Sequence, residues 1–191
     1  KNASAELISK ILYPNDNHTE GKILRLRQQY FLSAASIGDI VHNHLAQYGT
    51  MENLPDKIAI HINDTHPTLA IPELMRILLD ECGYSWEQAF DITSRTFAYT
   101  NHTVMSEALE KWNEEIFRKT LPRIYSIVCE MNRRCREDFE KKFPGDTGKI
   151  NYMAILGDGQ VRMANICCYV CHSINGVSKL HSEIIKQSVF H

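Results

Sequence analysis

The sequence predicts a helix-rich α/β fold, and three features carry that prediction. Residues 58–62 form an apolar, β-branched run that breaks into Asn63-Asp64-Thr65-His66-Pro67, with a helix start a few residues on. A second strand reads at Thr96–Thr100 with two helices before it, so residues 57–100 form a β-loop-α-α-β crossover, the connection that joins parallel strands. Amphipathic helical patterns occupy most of the remainder.

Taken in order, a short helix is expected at Ser4–Leu12. It ends at Tyr13-Pro14, because the residue before proline is biased out of the α region. Asn15-Asp16-Asn17 reads as a polar loop. One long helix runs from about Gly21 to Tyr48, with Leu24, Phe31, Ala34, Ile37, Val41 and Leu45 as its apolar stripe and Gly49 as its stop. Lys57–Ile62 is the first strand. Pro72 suits the first turn of the next helix, which buries Leu74, Ile77 and Leu78 before Gly83 ends it. Ser85-Trp86-Glu87-Gln88 is a capping box that opens a helix to about Arg95. Past the second strand, helices are expected at Glu107–Thr120 and Pro122–Lys142. Tyr152–Leu156 and Gln160–Met163 flank Gly157-Asp158-Gly159 as a hairpin. Helices near 164–173 and 178–188 close the chain, with Ile174–Val177 between them. Two or three strands are too few for a self-sufficient doubly wound sheet, so residues 1–191 are expected to form a single incomplete domain with apolar surface left uncovered.

Composition excludes several classes. At 43% hydrophobic and 23% charged over 191 residues, the chain has the make-up of an ordinary globular protein with a real core. A net charge of −2 gives no electrostatic reason to expect nucleic acid or an anionic membrane as partner. No run approaches the roughly 18–20 apolar residues that span a bilayer. The chain opens at Lys1 without Met and stops at Val189-Phe190-His191, so it is expected to be an internal piece of something longer. The six cysteines lack the spread of a secreted disulfide framework. Cys168-x-x-Cys171-His172 has no second ligand pair and lies in an apolar segment at helical spacing, so reduced thiols acting as small hydrophobes are expected, with no metal. Four Asn-x-Ser/Thr sequons begin at Asn2, Asn17, Asn63 and Asn101; a cytoplasmic protein leaves them bare.

Asp64 and His66 stand two residues apart where a strand hands over to a helix. Open α/β sheets place their chemistry at that carboxyl edge, and this pair can donate, accept and titrate near neutral pH. Strand-end Asp and Thr also serve as ordinary turn formers and caps, and the spacing alone leaves both readings open.

A longer set of motifs surrounds this pair. It comprises Leu12-Tyr13-Pro14-Asn15-Asp16-Asn17, Glu20-Gly21-Lys22, Leu24-Arg25-Leu26, Gln29-Tyr30-Phe31 and Ala98-Tyr99-Thr100-Asn101-His102-Thr103-Val104. Glu107-Ala108-Leu109-Glu110-Lys111-Trp112, Phe143-Pro144-Gly145-Asp146, Asn175-Gly176-Val177 and Leu180-His181-Ser182-Glu183-Ile184 follow in the same order. With Ile58–Arg76 included, the sequence resembles the glycogen and maltodextrin phosphorylase family from end to end. The resemblance implies a GT-B arrangement of two Rossmann-like lobes, of which this chain would be the second half of the amino-terminal lobe. It implies transfer of glucosyl from the non-reducing end of an α-1,4-glucan to inorganic phosphate, giving glucose 1-phosphate with retention. The implied cofactor is pyridoxal phosphate in the full-length enzyme, acting through its phosphate, and the implied assembly is a homodimer, with Ser4–Leu12 resembling part of the tower helix that packs across the dimer axis.

By the same resemblance His102 sits at the glucose subsite, facing the sugar with its ring and carbonyl oxygen. A carbonyl aimed at the anomeric carbon would stabilise an oxocarbenium-like state. Asp16 and Asn17 match the mobile loop that gates that subsite, and Arg25 matches a residue beside the loop. Asp64, His66 and Glu110 match polar residues lining a pocket next to the glucose position, and Glu107 with Glu110 would share a helical face. His181 reads as a core or groove histidine. Ser106 replaces the family's usual proline and His18 its usual aromatic, which removes the basis for ring stacking at the cleft mouth. The cofactor lysine and the substrate-phosphate residues belong to the other lobe, so the chain by itself is expected to bind no cofactor and to be inactive. A stand-alone sugar-binding or dimerisation module is the alternative. A metal-dependent hydrolase built on Asp64, His66, His102 and Glu110 would lack any tight ligand motif.

Overall fold

The computed structural model describes residues 2–11, 14–103 and 108–178, with side chains from residue 6 onward. The chain opens with helix α1 (Asn2–Lys10) and the long α2 (Thr19–Tyr48). Gly49, at φ 69°, ends α2 as expected, its N–H donating to Leu45 O. At the other end His18 is the cap: its Nδ1 accepts from Gly21 N at 3.0 Å, an imidazole doing what Ser or Asp usually does. The apolar stripe is corrected. Leu26, Ile37, Val41 and His44 point inward, whereas Phe31 is 52% and Leu32 66% exposed, because that side of α2 faces an open groove rather than the core.

A four-residue helix, α3 (Leu54–Lys57), takes the start of the segment expected as strand, so β1 is only Ile60–Asn63. Next come α4 (Ala70–Arg76), continued by one π-type turn over Ile77–Glu81, and α5 (Trp86–Thr96). Both bonds of the capping box are present, Gln88 N to Ser85 Oγ at 3.3 Å and Ser85 N to Gln88 Oε1 at 3.0 Å. Strand β2 (Phe97–Asn101) then lies parallel to β1, with Ile62 opposite Tyr99.

The helix expected over Glu107–Thr120 is not continuous. Residues 104–107 lie outside the described set, Lys111–Asn113 is strand β3, and helix α6 is Glu114–Thr120. Asn113 Oδ1 caps Ile116 N at 3.0 Å, which starts the helix there, and Trp112 is committed to pairing with Val161. Glu110 therefore precedes a strand instead of lying within the expected helix, and Glu107, its expected neighbour on a helical face, lies outside the described residues. Helix α7 (Pro122–Lys142) follows, then α8 (Thr147–Met153), where the hairpin's first strand was expected to begin. Strands β4 (Leu156–Gly157) and β5 (Gln160–Arg162) make the hairpin around Asp158 and Gly159, both at positive φ, and β3 adds to it as a third antiparallel strand. Helix α9 (Met163–Val170) leads to β6 (Ser173–Gly176). The segment between the last two expected helices is thus a strand, parallel to β2. Its alternation is weak because Ser173, Ile174 and Asn175 are all exposed. The helix expected at 178–188, His181 with it, lies outside the described residues from 179 on.

The main sheet therefore has the order β1-β2-β6, all parallel. One face carries Ile62, Phe97 and Tyr99 into a core with Leu69, Leu74, Leu78, Ile92 and Ile166. The other is polar: His61 Nε2–H donates to Thr100 Oγ1 (2.5 Å), whose hydroxyl donates on to Asn175 Oδ1 (3.0 Å). Parallel sheets are ordinarily covered on both faces. Beside β1 runs a groove of about 790 Å³ lined by Ile8, Phe31, Leu32, Ile37, Ile60 and Ile62 among others. Apolar surface beside a strand edge that is unpaired among the described residues associates. The 191-residue chain is expected to self-associate in light scattering across a wide concentration range. A monomer at high concentration with a sharp, high thermal transition would show that the groove closes in solution.

Candidate functional site

Parallel pairing brings the ends of β1 and β2 together. The Asp64 N–H donates to Thr100 O at 2.9 Å, so the chain leaves β1 one residue past the last paired position, Asn63–Thr100. Asp64 turns there through φ 63°, a left-handed conformation that costs a non-glycine residue about 1 kcal/mol. Its own carboxylate steadies the turn, Oδ1 accepting from Thr65 N at 2.6 Å. Thr68 anchors the next turn in the core, Oγ1 lying 3.3 Å from Cys167 Sγ. Between these buried threonines His66 is exposed, on the wall of the groove.

At the end of β2, Asn101 is fully buried and frames His102. Its Oδ1 accepts from Thr103 N (2.7 Å) and its Nδ2 donates to Thr103 O (3.1 Å). His102 Nε2–H donates to Asn63 Oδ1 at 2.6 Å, tying the two strand ends. In the neutral ring this leaves Nδ1 as an acceptor. Asp64, His66 and His102 therefore come from neighbouring strand ends on one edge of the sheet.

A second group gathers where the Asn15–His18 loop meets α2. Arg25 Nη1 donates to Asp16 Oδ2 at 2.6 Å, and Arg25 Nη2 lies 3.9 Å from Glu110 Oε1. Glu110 Oε1 also accepts from Gln29 Nε2 at 2.9 Å. Gly21 belongs to this arrangement, since a Cβ on it would lie 1.8 Å from Asn15 O: the loop crosses directly over the first turn of α2. Asn17 is exposed, its backbone N–H bonded to Asn15 Oδ1 (3.0 Å). Arg25, Gln29 and His66 all line the groove, which links the two groups.

Asn63, Asn101 and Gln29 were not singled out from sequence as site residues. Gln29 was findable, because it lies one helical turn from Arg25 on the same face. Asn101 was not, since its role depends on a turn that only the fold defines. Among the described residues no cluster of three or more His, Cys, Asp or Glu side chains could hold a metal ion. Cys167 is fully buried, which holds its thiol well above the usual range, and burial pushes the Cys135 thiol up to about 12. Neither thiol is a ready nucleophile. Thiol titration of denatured, unreduced protein is expected to count six, and that of the native chain near pH 8 is expected to miss at least these two. A metal found in stoichiometric amount would overturn the core reading of the cysteines.

A helix-rich α/β chain with imidazoles and a carboxylate on one parallel-sheet edge belongs to the class whose ligand sites open at strand carboxyl ends. Comparison with known proteins narrows this. The family model for carbohydrate phosphorylase matches residues 1–191, and the chain belongs to that family. It is 54% identical over 183 residues to the glycogen phosphorylase of Bacillus subtilis strain 168, covering 95% of this chain and 23% of that protein. It is 47% identical to the brain form of Bos taurus and 45% identical to the muscle form of Ovis aries, each over 197 residues, 97% of this chain and 23% of the relative. The chain thus spans about a quarter of the length of these relatives.

Proposed function

We propose that this chain is part of a glycan phosphorylase that moves glucosyl from the non-reducing end of an α-1,4-glucan onto inorganic phosphate, giving glucose 1-phosphate. The observation that carries the reading is the family match over the whole chain, joined to a sheet edge that presents Asp64, His66 and His102 together. The chain is half of the amino-terminal, Rossmann-like lobe of a GT-B cleft, a single incomplete domain in a homodimeric, cytoplasmic enzyme. No described helix is long and apolar enough to cross a membrane.

In this reading His102 faces the glucose: its Nδ1 accepts a hydrogen bond from a sugar hydroxyl while Nε2 stays bound to Asn63. Its carbonyl oxygen lies toward the anomeric carbon, where it stabilises positive charge as the glycosidic bond breaks. Asp64 and Glu110 accept hydrogen bonds from sugar hydroxyls in the adjoining pocket, and His66 borders it. The Asp16–Asn17 loop, bound through Arg25, governs entry.

The residues present do not fit pyridoxal phosphate. Among the described residues no lysine lines the groove and none is bonded at the strand ends, so no step is assigned to that group here. The cofactor is placed in the complete enzyme, held by residues outside this sequence. In an assay on glycogen with phosphate, the complete protein is expected to release glucose 1-phosphate. Exchanging His102 for alanine should lower kcat/KM by about a hundredfold. The 191-residue chain alone is expected to release none and to show no Schiff-base absorbance after dialysis. A stoichiometric cofactor band on the isolated chain, or an unimpaired His102→Ala enzyme, would overturn the assignment.

A further inference from the structure

Glu110 is reached from α2 by two residues, and they do different work. Arg25 is already bound to Asp16 at 2.6 Å and stands 3.9 Å from Glu110, so it supplies charge without a directional bond. Gln29 supplies the bond, Nε2 to Glu110 Oε1 at 2.9 Å. Its platform is rigid: the next residue, Tyr30, donates to buried Glu73 on α4 at 2.8 Å, and Arg76 clamps Glu73 in turn. The backbone of Glu110 is held from the other side, Met163 N donating to its carbonyl at 3.2 Å.

This fully braced pair carries an unmet demand. Gln29 Oε1 and Glu110 Oε2 are both buried and have no hydrogen-bond partner among the described residues. Native structures rarely leave such acceptors open without a reason, and a donor that arrives with a ligand is one. An amide suits the position. It orients a carboxylate through its N–H while leaving the charge intact, whereas a carboxylate there would repel Glu110 and a cation would compete with Arg25.

We propose that Gln29 is the positioning residue for Glu110 in the sugar pocket, fixing the carboxylate so that its open oxygen accepts a hydrogen bond from a hydroxyl of the bound glucan. The proposal rests on the phosphorylase reading and adds to it the residue that sets the acceptor geometry.

The test uses the complete protein carrying Gln29→Met, Glu110→Gln, or both, with glucan as the varied substrate. Gln29→Met is expected to raise the KM for glucan about tenfold, the worth of one hydrogen bond to a charged group, and to change kcat far less. On the Glu110→Gln background it should add almost nothing, because its effect passes through the carboxylate. Gln29→Asn keeps the amide but draws it back by one methylene; it should give the same KM shift and guards against a folding loss. An unchanged KM in both Gln29 variants, while Glu110→Gln raises it, would overturn the positioning role and leave the phosphorylase reading standing. So would a Gln29→Met effect that multiplies in full with that of Glu110→Gln. A complete protein without phosphorolysis would overturn the reading, and the proposal with it.

Discussion

Exchanging Gly21 for alanine is expected to detach the Asn15–His18 loop from α2 without unfolding the helix. Two effects compete. Alanine is favoured over glycine inside a helix by about 1 kcal/mol. Against this, the new Cβ would fall 1.8 Å from Asn15 O, a distance no relaxation of α2 alone can relieve, because the obstacle is backbone. Overpacking of this kind costs about 1–3 kcal/mol, and it is avoided if the loop lifts away. The helix keeps its gain, and the loop loses both its seat and the Asp16–Arg25 bond. Cleavage by a protease specific for the amide before Asp16 should accelerate about tenfold in the native chain while the thermal transition stays nearly level. Equal cleavage rates in the two proteins would show that the loop crosses α2 with more slack than the structure has.

The second large effect is expected at Glu73. It is 2% exposed and holds α4 to α2 by accepting from Tyr30 OH (2.8 Å), Arg76 Nε (3.0 Å) and Arg76 Nη2 (2.8 Å). Alanine there leaves a phenol and one side of a guanidinium without their acceptor. Arg76 retains Glu81 at 2.8 Å and is partly exposed, so the loss falls below that of a fully buried pair, at about 3 kcal/mol in urea unfolding. A change under about 1 kcal/mol would mean that water takes the place of the carboxylate. The same cluster predicts an alkaline limb. Burial, then the bond to Glu73, raises the Tyr30 phenol from 10.0 to about 12. Because the folded value lies above the unfolded one, the contribution is complete below pH 10 and is lost as the pH rises toward 12. Tyr30→Phe should flatten that limb in proportion to this one group.

Much of this arrangement was legible in the sequence where the signal is local. The capping box at Ser85, the stop at Gly49 and the crossover from β1 to β2 each rest on a few adjacent residues with one good conformation. Legibility fails where a distant partner decides. Lys111-Trp112-Asn113 continues a helical pattern on paper, but Val161 pairs with Trp112 and makes it a strand. Ser173–Gly176 has no inward alternation because most of its side chains are exposed, yet β2 recruits it. The candidate site divides the same way. Asp64, His66 and His102 stand at strand ends that periodicity finds, whereas the Gln29–Glu110 bond spans 81 positions and depends on how α2 is laid across the sheet.

The position of β1 has a consequence for how firmly this edge is held. Among the described residues β1 pairs on one side only, and Asp64 N–H to Thr100 O is the last rung of that ladder. Strand fraying and site disassembly are then one opening event, and the slow exchange of a single amide with solvent deuterium would time both. A ligand that grips the two strand ends, or polypeptide laid along the free edge, would lengthen that time together with the protection of Ile62 and Asn63. How firmly the Asp64–His102 edge is held therefore depends also on whatever lies against the outer edge of β1.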